Sequence, residues 1–246
     1  MATKTEHEAR ADEPAPPAGA APAARHPVAA AVSVFGELLI TAGVVLGLFV
    51  AYSLWWTNVV ADRAADEQGN AVRDGWGAAS GPGALDTGGG VGFLHVPAMR
   101  NGEVLVKKGT DTAILNDGVA GYYTDPIPAA LPGEPRGNFT LAAHRDGHGA
   151  KFHNIDKLHD GDAIVFETED TWYVYKVFKT LPETTKYNVD VLQQVPKEAG
   201  VTKPGRYITL TTCTPVYTSK YRYVVWGELE RTEKVDADRT PPAELR

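Results

Sequence analysis

Three residues of this chain have the types and positions to carry acyl chemistry: Cys213, His144 and Arg222. Cys213 is the sole cysteine, and it closes a strand-like run, ITLTTC. Alternation puts Ile208 and Leu210 on one face of that run, with Thr209, Thr211 and Cys213 on the other. The apolar pair is expected to face a core, so the thiol points away from it, and Pro215 then stops the strand. A thiol at a strand end beside a loop can meet a substrate; an inert packing cysteine is the alternative. His144 closes NFTLAAH in the same way, with Phe139, Leu141 and Ala143 sharing one face and Thr140, Ala142 and His144 the other. The RDG that follows it is turn chemistry. Arg222 comes nine residues after Cys213, at the start of YRYVVWGELE. A hairpin of ITLTTC, a loop and YRYVVWG would return it to the side of the thiol; a surface ion pair is its commoner fate.

These types are complementary. A free thiol with a pKa of about 8.5 is only a few per cent ionised near pH 7. A neighbouring guanidinium or imidazolium favours the thiolate. His144 can protonate a departing amine and later take a proton from an incoming nucleophile. Arg222 can hold an oxyanion by charge-assisted hydrogen bonds, each such donor typically contributing about 3 kcal/mol. The set supports acyl transfer through a thioacyl intermediate. Thr211 and Thr212, next to the thiol, either line a substrate groove or serve strand propensity alone.

The elements that must position this set are short strands. VGFLHVPAM, EVLVKKG, NFTLAAH, DAIVFET, TWYVYKVFKT, RYITLTTC and YRYVVWGELE alternate or are β-branched, with Gly, Pro, Asn and Asp between them. That pattern predicts an all-β, antiparallel barrel or sandwich over residues 90–231. Leu181 to Gly205 is long for a connection between strands, as functional loops often are. Upstream, Leu38 to Trp56 holds nineteen residues with no charge. As a helix that run spans roughly 30 Å, about a bilayer core. Tyr52, Trp55 and Trp56 fit an interfacial belt at its outer end. The expected organisation is therefore a disordered cytoplasmic tail (1–30), a transmembrane helix (31–57), a flexible linker (58–89), the barrel (90–231) and a disordered tail (232–246).

Composition excludes several classes. With one cysteine in 246 residues there is no internal disulfide and no Cys-rich zinc or iron–sulfur site. A net charge of -7 argues against a nucleic-acid partner. His144, His148 and His153 invite a metal reading, but their spacing suits no standard zinc finger. Neither a metal nor a cofactor is expected.

The segment TLTTCTPVYTSKYR, Thr209 to Arg222, resembles the sortase signature, and NFTLAAHR resembles that family's histidine segment. GFLHVPAM is similar to its first strand, and NDGVAGYYTDPIPAALPGEPRGNF to the stretch leading to the histidine. The resemblance implies a closed eight-stranded sortase-type β-barrel with short helices, preceded by one transmembrane helix. It implies a cysteine transpeptidase that cuts a sorting signal between Thr and Gly and joins the Thr carbonyl to an amine of the cell-wall precursor. Cys213 would be the nucleophile, His144 the general acid/base and Arg222 the oxyanion or substrate stabiliser. The amino-terminal span and the Cys–Arg spacing are most similar to the class E, actinobacterial housekeeping sortases, associated with LAxTG rather than LPxTG signals. The implied partners are secreted proteins carrying such a signal and a peptidoglycan precursor amine, met by a single-pass membrane enzyme with its catalytic domain outside the cell. The competing readings are a pilin-polymerising sortase, an L,D-transpeptidase and a tethered, non-catalytic β-barrel binding module. The second is disfavoured by Thr-Thr where that family places Ser-x-Gly before its cysteine.

Overall fold

The computed structural model describes residues 27–76 and 90–246. Most of the expected amino-terminal tail, and residues 77–89 of the expected linker, lie outside the described residues. The chain divides into two compact units between Leu48 and Phe49. Helix α1 (Pro27–Ala51), most of which lies in the first unit, is long and apolar enough to cross a membrane, and none of its side chains is buried by protein. The helix begins a few residues before the expected position 31. At Tyr52–Trp56 it passes through one wider, π-type turn.

The second unit holds the barrel. Its strands are β1 (Gly90–His95), β2 (Glu103–Lys108), β3 (Ala120–Tyr122), β4 (Gly137–Ala142), β5 (Ala163–Glu167), β6 (Thr171–Thr185), β7 (Arg206–Thr214) and β8 (Tyr221–Lys234). They close in the order β1-β2-β3-β4-β7-β8-β6-β5. The expected closed eight-stranded barrel is present, but it is not purely antiparallel: β2–β3 and β4–β7 pair in parallel. Parallel pairing needs a crossover, and the long excursion between β4 and β7 supplies one. Inside, Phe139 packs edge-on to Phe166 at 4.9 Å, among Leu94, Leu141, Ile208 and Leu210. Each such side chain contributes about 2 kcal/mol when fully removed from water.

Two expectations about order are corrected. Residues 58–75 are not a flexible tether: Thr57–Gly75 forms helix α2, and Ala61, Ala65, Gly69 and Val72 are buried against the barrel. Their spacing of three or four residues makes one helical face. The stripe is small rather than greasy, so it carries no apolar signal, yet smallness permits close approach. A Cβ on Gly69 would stand 3.2 Å from the Phe93 ring. Likewise 232–246 is not a free tail. β8 runs on to Lys234, Val235 N–H donates to Asp170 O, and Leu245 packs against the cluster of Val165, Trp172 and Val174. The segment Leu181–Gly205 also divides: Leu181–Thr185 continues β6, and the true connection begins after it.

Candidate active site

β4, β7 and β8 lie side by side, and their pairing places the reactive residues. Between β7 and β8, Cys213 stands directly opposite Arg222. β4 and β7 run parallel with Ala142 level with Thr211, and the Ala143 N–H reaches the Thr211 carbonyl, carrying the ladder one step further. His144 follows two residues beyond the end of β4, and Cys213 lies two residues beyond Thr211 on β7. Cys213 and Arg222 thus share one row across β7 and β8, while His144 enters from the loop after β4, the strand on the other side of β7.

The expected facing of these side chains holds. Ile208 and Leu210 enter the barrel core, as do Phe139, Leu141 and Ala143. The opposite face is not simply open, however. Val224 and Trp226 of β8 are covered by Val191 and Leu192 from the β6–β7 connection, and Trp226 Nε1 donates to Val191 O. Tyr123 places its hydroxyl 3.0 Å from Thr211 Oγ1. Cys213, His144 and Arg222 emerge where this outer layer ends, each half-buried.

Thr211 and Thr212 do not meet the expectation that they line a groove. They are 2% and 3% exposed. Thr211 Oγ1 donates to Leu141 O at 3.0 Å, and Thr212 Oγ1 donates to Ala143 O at 2.7 Å. Both hydroxyl hydrogens are committed to the carbonyls of Leu141 and Ala143, so these residues tie β7 to the segment leading to His144 and have no hydrogen left to donate to a ligand.

His144 Nε2 lies 2.9 Å from Asn116 Oδ1. A neutral ring that donates there keeps its other nitrogen, Nδ1, as a proton acceptor. Burial lowers the imidazole pKa, and His148, whose ring centroid is 5.4 Å away, lowers it further; Asp146 partly opposes them. The metal reading finds no support in this group, since His144 Nε2 meets Asn116 and His153 Nδ1 meets Arg145 O at 2.9 Å. Arg222 Nη1 donates to the carbonyls of Ser219 and Tyr221 at 3.1 and 3.0 Å. Neither partner carries charge, so the guanidinium keeps its field.

Several residues of the site escape a reading of the sequence. Tyr123 is close enough to Cys213 and Arg222 for each to act on its hydroxyl, whose pKa is raised mainly by burial. Arg145, 6% exposed, donates to Thr214 Oγ1 at 2.8 Å and pairs with Asp156 at 3.0 Å, locking the histidine segment to the end of β7. Asp146 Oδ2 accepts from Tyr217 N–H at 2.6 Å, tying in the loop between β7 and β8. Only Arg145 had a local signal, its place directly after the histidine.

A family model described as a sortase domain matches residues 94–230. The chain belongs to the sortase family. This sortase is 71% identical over 226 residues to sortase SrtE2 of Streptomyces coelicolor, covering 89% of each chain. It is 45% identical to sortase SrtE1 of the same organism, over 84% of this chain and 60% of that relative. Among solved structures it is similar to a crystal structure of sortase E1 from Streptomyces coelicolor with a tripeptide in the active site. That likeness has 43% identity and a TM-score of 0.61, over 65% of this chain and 98% of that one. The structure of sortase E from Streptomyces avermitilis is similar at 33% identity and a TM-score of 0.57, over the same share of each. Sortases are cysteine transpeptidases, and this one has the class E enzymes as its structural neighbours.

Proposed function

We propose that this sortase uses Cys213 as nucleophile, His144 as general acid/base and Arg222 as oxyanion stabiliser to cut an LAxTG- or LPxTG-type sorting signal. The thiol proton passes to His144 Nδ1, and the sulfur attacks the Thr carbonyl. Arg222, opposite the sulfur, stabilises the tetrahedral oxyanion. As the Thr–Gly bond breaks, His144 gives its proton to the Gly nitrogen, which leaves as a free amine. An incoming cell-wall amine then attacks the thioester, His144 takes its excess proton, and the thiol is restored when that proton returns to sulfur. The depressed basicity of His144 suits it to release a proton readily to the leaving amine. The single observation carrying this reading is the pairing of Cys213 with Arg222 across β7 and β8, with His144 two residues past the end of the neighbouring strand β4. The tripeptide held in the active site of the Streptomyces coelicolor relative supports a peptide ligand.

α1 is the proposed anchor. The barrel would then work at the outer membrane surface, on secreted proteins held there by their sorting signals. The test is cleavage of an LAxTG, LPxTG and NPxTG peptide panel by the full chain, with a peptidoglycan-type amine as acceptor. Cleavage between Thr and Gly that disappears in Cys213→Ala is expected, with a bell-shaped pH dependence. Cleavage that survives in Cys213→Ala would sink the proposal.

A further inference from the structure

Just after His144 the backbone takes four left-handed residues in succession, Gly147, His148, Gly149 and Ala150, with φ of 62°, 46°, 78° and 41°. Two of them carry side chains that disfavour this region. Such backbone persists where its surroundings over-determine it. Within the turn, Ala150 N–H donates to Gly147 O at 2.8 Å. Other restraints come from α2, some ninety residues earlier. Asn58 Oδ1 accepts from Gly149 N–H at 2.9 Å, and Asp62 Oδ1 takes the Lys151 ammonium at 2.8 Å. The approach is tight: a Cβ on Gly149 would fall 2.9 Å from Asp62 Oδ1.

The same helix face reaches a second turn. Ala61 lies against Gly118, where a Cβ would be 2.8 Å from the Ala61 carbonyl oxygen. Gln68 Nε2 donates to Asp117 Oδ2 at 3.2 Å and Gln68 Oε1 accepts from Lys107 at 2.7 Å. Both turns reach His144. One brings the His148 ring to 5.4 Å of the His144 ring, and the other sets Asn116 Oδ1 at 2.9 Å from its Nε2. α2 touches neither His144 nor Cys213 through any of these contacts, yet it holds both of the segments that orient the imidazole.

We infer that α2 is a positioning element of the active site, in which Asn58 and Asp62 pin the left-handed turn that seats His148 on His144 while Ala61 and Gln68 pin the turn that carries Asn116. The inference rests on His144 acting as the general acid/base. It makes the segment between membrane helix and barrel part of the catalytic machinery rather than a spacer.

The experiment uses the full chain in detergent micelles with an LAxTG peptide. It compares wild type, Asn58→Ala, the double variant Asn58→Ala/Asp62→Ala, Asn58→Asp and His144→Ala, with a thermal melt of each. The titratable groups acting on the His144 ring are His148 and Asp146, both from its own loop. Freeing the turn removes His148 and admits water. In the double variant kcat should therefore fall about tenfold with KM little changed, as a displaced catalytic group would cause. The histidine limb of the pH profile should move upward towards the ordinary imidazole value. Asn58→Ala should show a smaller change in the same direction. Asn58→Asp, which still offers an oxygen to Gly149 N–H, should remain near wild type. Wild-type kcat and pH profile in the folded double variant would overturn the inference. So would a fall in kcat with an unmoved limb and no recovery in Asn58→Asp, the signature of a merely structural helix. If His144→Ala itself remains active, the catalytic reading fails and the inference falls with it; an inactive His144→Ala beside unaffected α2 variants refutes the inference alone.

Discussion

Glu167 on β5 and Cys213 on β7 each sit in a cluster of titratable groups on the same barrel, and the clusters follow opposite rules. Glu167 is 2% exposed, and both its oxygens are occupied. Oε1 accepts from Arg73 at 2.9 Å and from Arg239 at 3.0 and 2.7 Å. Oε2 accepts from Arg73 at 2.9 Å and lies 3.0 Å from His95 Nε2. Burial pushes its pKa up, but the hydrogen bonds from His95, Arg73 and Arg239 outweigh that and hold it at about 2. His95, Glu103 and Glu167 are near enough to resemble a metal cluster, yet Arg73 pairs with both carboxylates and Arg239 with Glu167, leaving little negative charge for a cation. Around Cys213 the groups are left available. Arg222 meets only neutral carbonyls in the bonds described, and among the described residues it forms no ion pair. A saturated cluster joins α2 and the carboxy-terminal segment to the barrel; an unsaturated one keeps charge and proton acceptors for a substrate. Clustering alone therefore does not mark chemistry, and the state of the partners does.

Arg222→Ala should lower kcat/KM about 10²–10³-fold, the usual loss of one oxyanion donor, while leaving the melting temperature nearly unchanged. Arg222→Lys should recover only part, because a point charge replaces a planar fork. Glu167→Ala should do the reverse, costing about 3 kcal/mol in denaturant unfolding with kcat/KM of the folded enzyme preserved, since it strands Arg239 and leaves Arg73 only Glu103. Its titration gives a pH signature as well. The folded pKa lies below the ordinary glutamate value, so the stabilisation is present above that value and is lost as pH falls from about 4.5 towards 2. The acid limb of wild-type stability should flatten in Glu167→Gln. Asn116→Ala should lower kcat about tenfold by releasing the imidazole orientation. Thr212→Val should lose about 1 kcal/mol of stability through its lost hydrogen bond and leave KM unchanged. A large rise in KM there would restore a substrate role for that threonine.

The pairing of Cys213 with Arg222 was legible because strand alternation and one hairpin suffice to assemble it. ITLTTC and NFTLAAH each show their core-facing set, and the chain reversal after Pro215 returns Arg222 to the thiol. What stayed hidden depends on packing between distant segments. α2 reads as a linker because its buried face is Ala61, Ala65, Gly69 and Val72, whose fit comes from small size. The carboxy-terminal segment reads as a free tail because its anchor, Arg239 on Glu167, is a charge pair with no periodicity. Asn116 and Tyr123 lie in loops, where no repeat pattern reveals which side chain turns inward. Thr211 and Thr212 misled for a related reason: adjacency to the thiol in sequence does not expose a hydroxyl that a neighbouring carbonyl already holds.

Acyl transfer runs through the sulfur of half-buried Cys213, paired with Arg222 and served by His144 beyond the end of β4. The most direct test mixes the full chain with an LAxTG peptide in the absence of an acceptor amine, quenches in acid and locates the added mass by peptide mapping. The expected result is the acyl fragment ending in Thr on the peptide that contains Cys213, and none in Arg222→Ala at the same short time. Turnover of the peptide with Cys213 unmodified and still alkylatable throughout would contradict it.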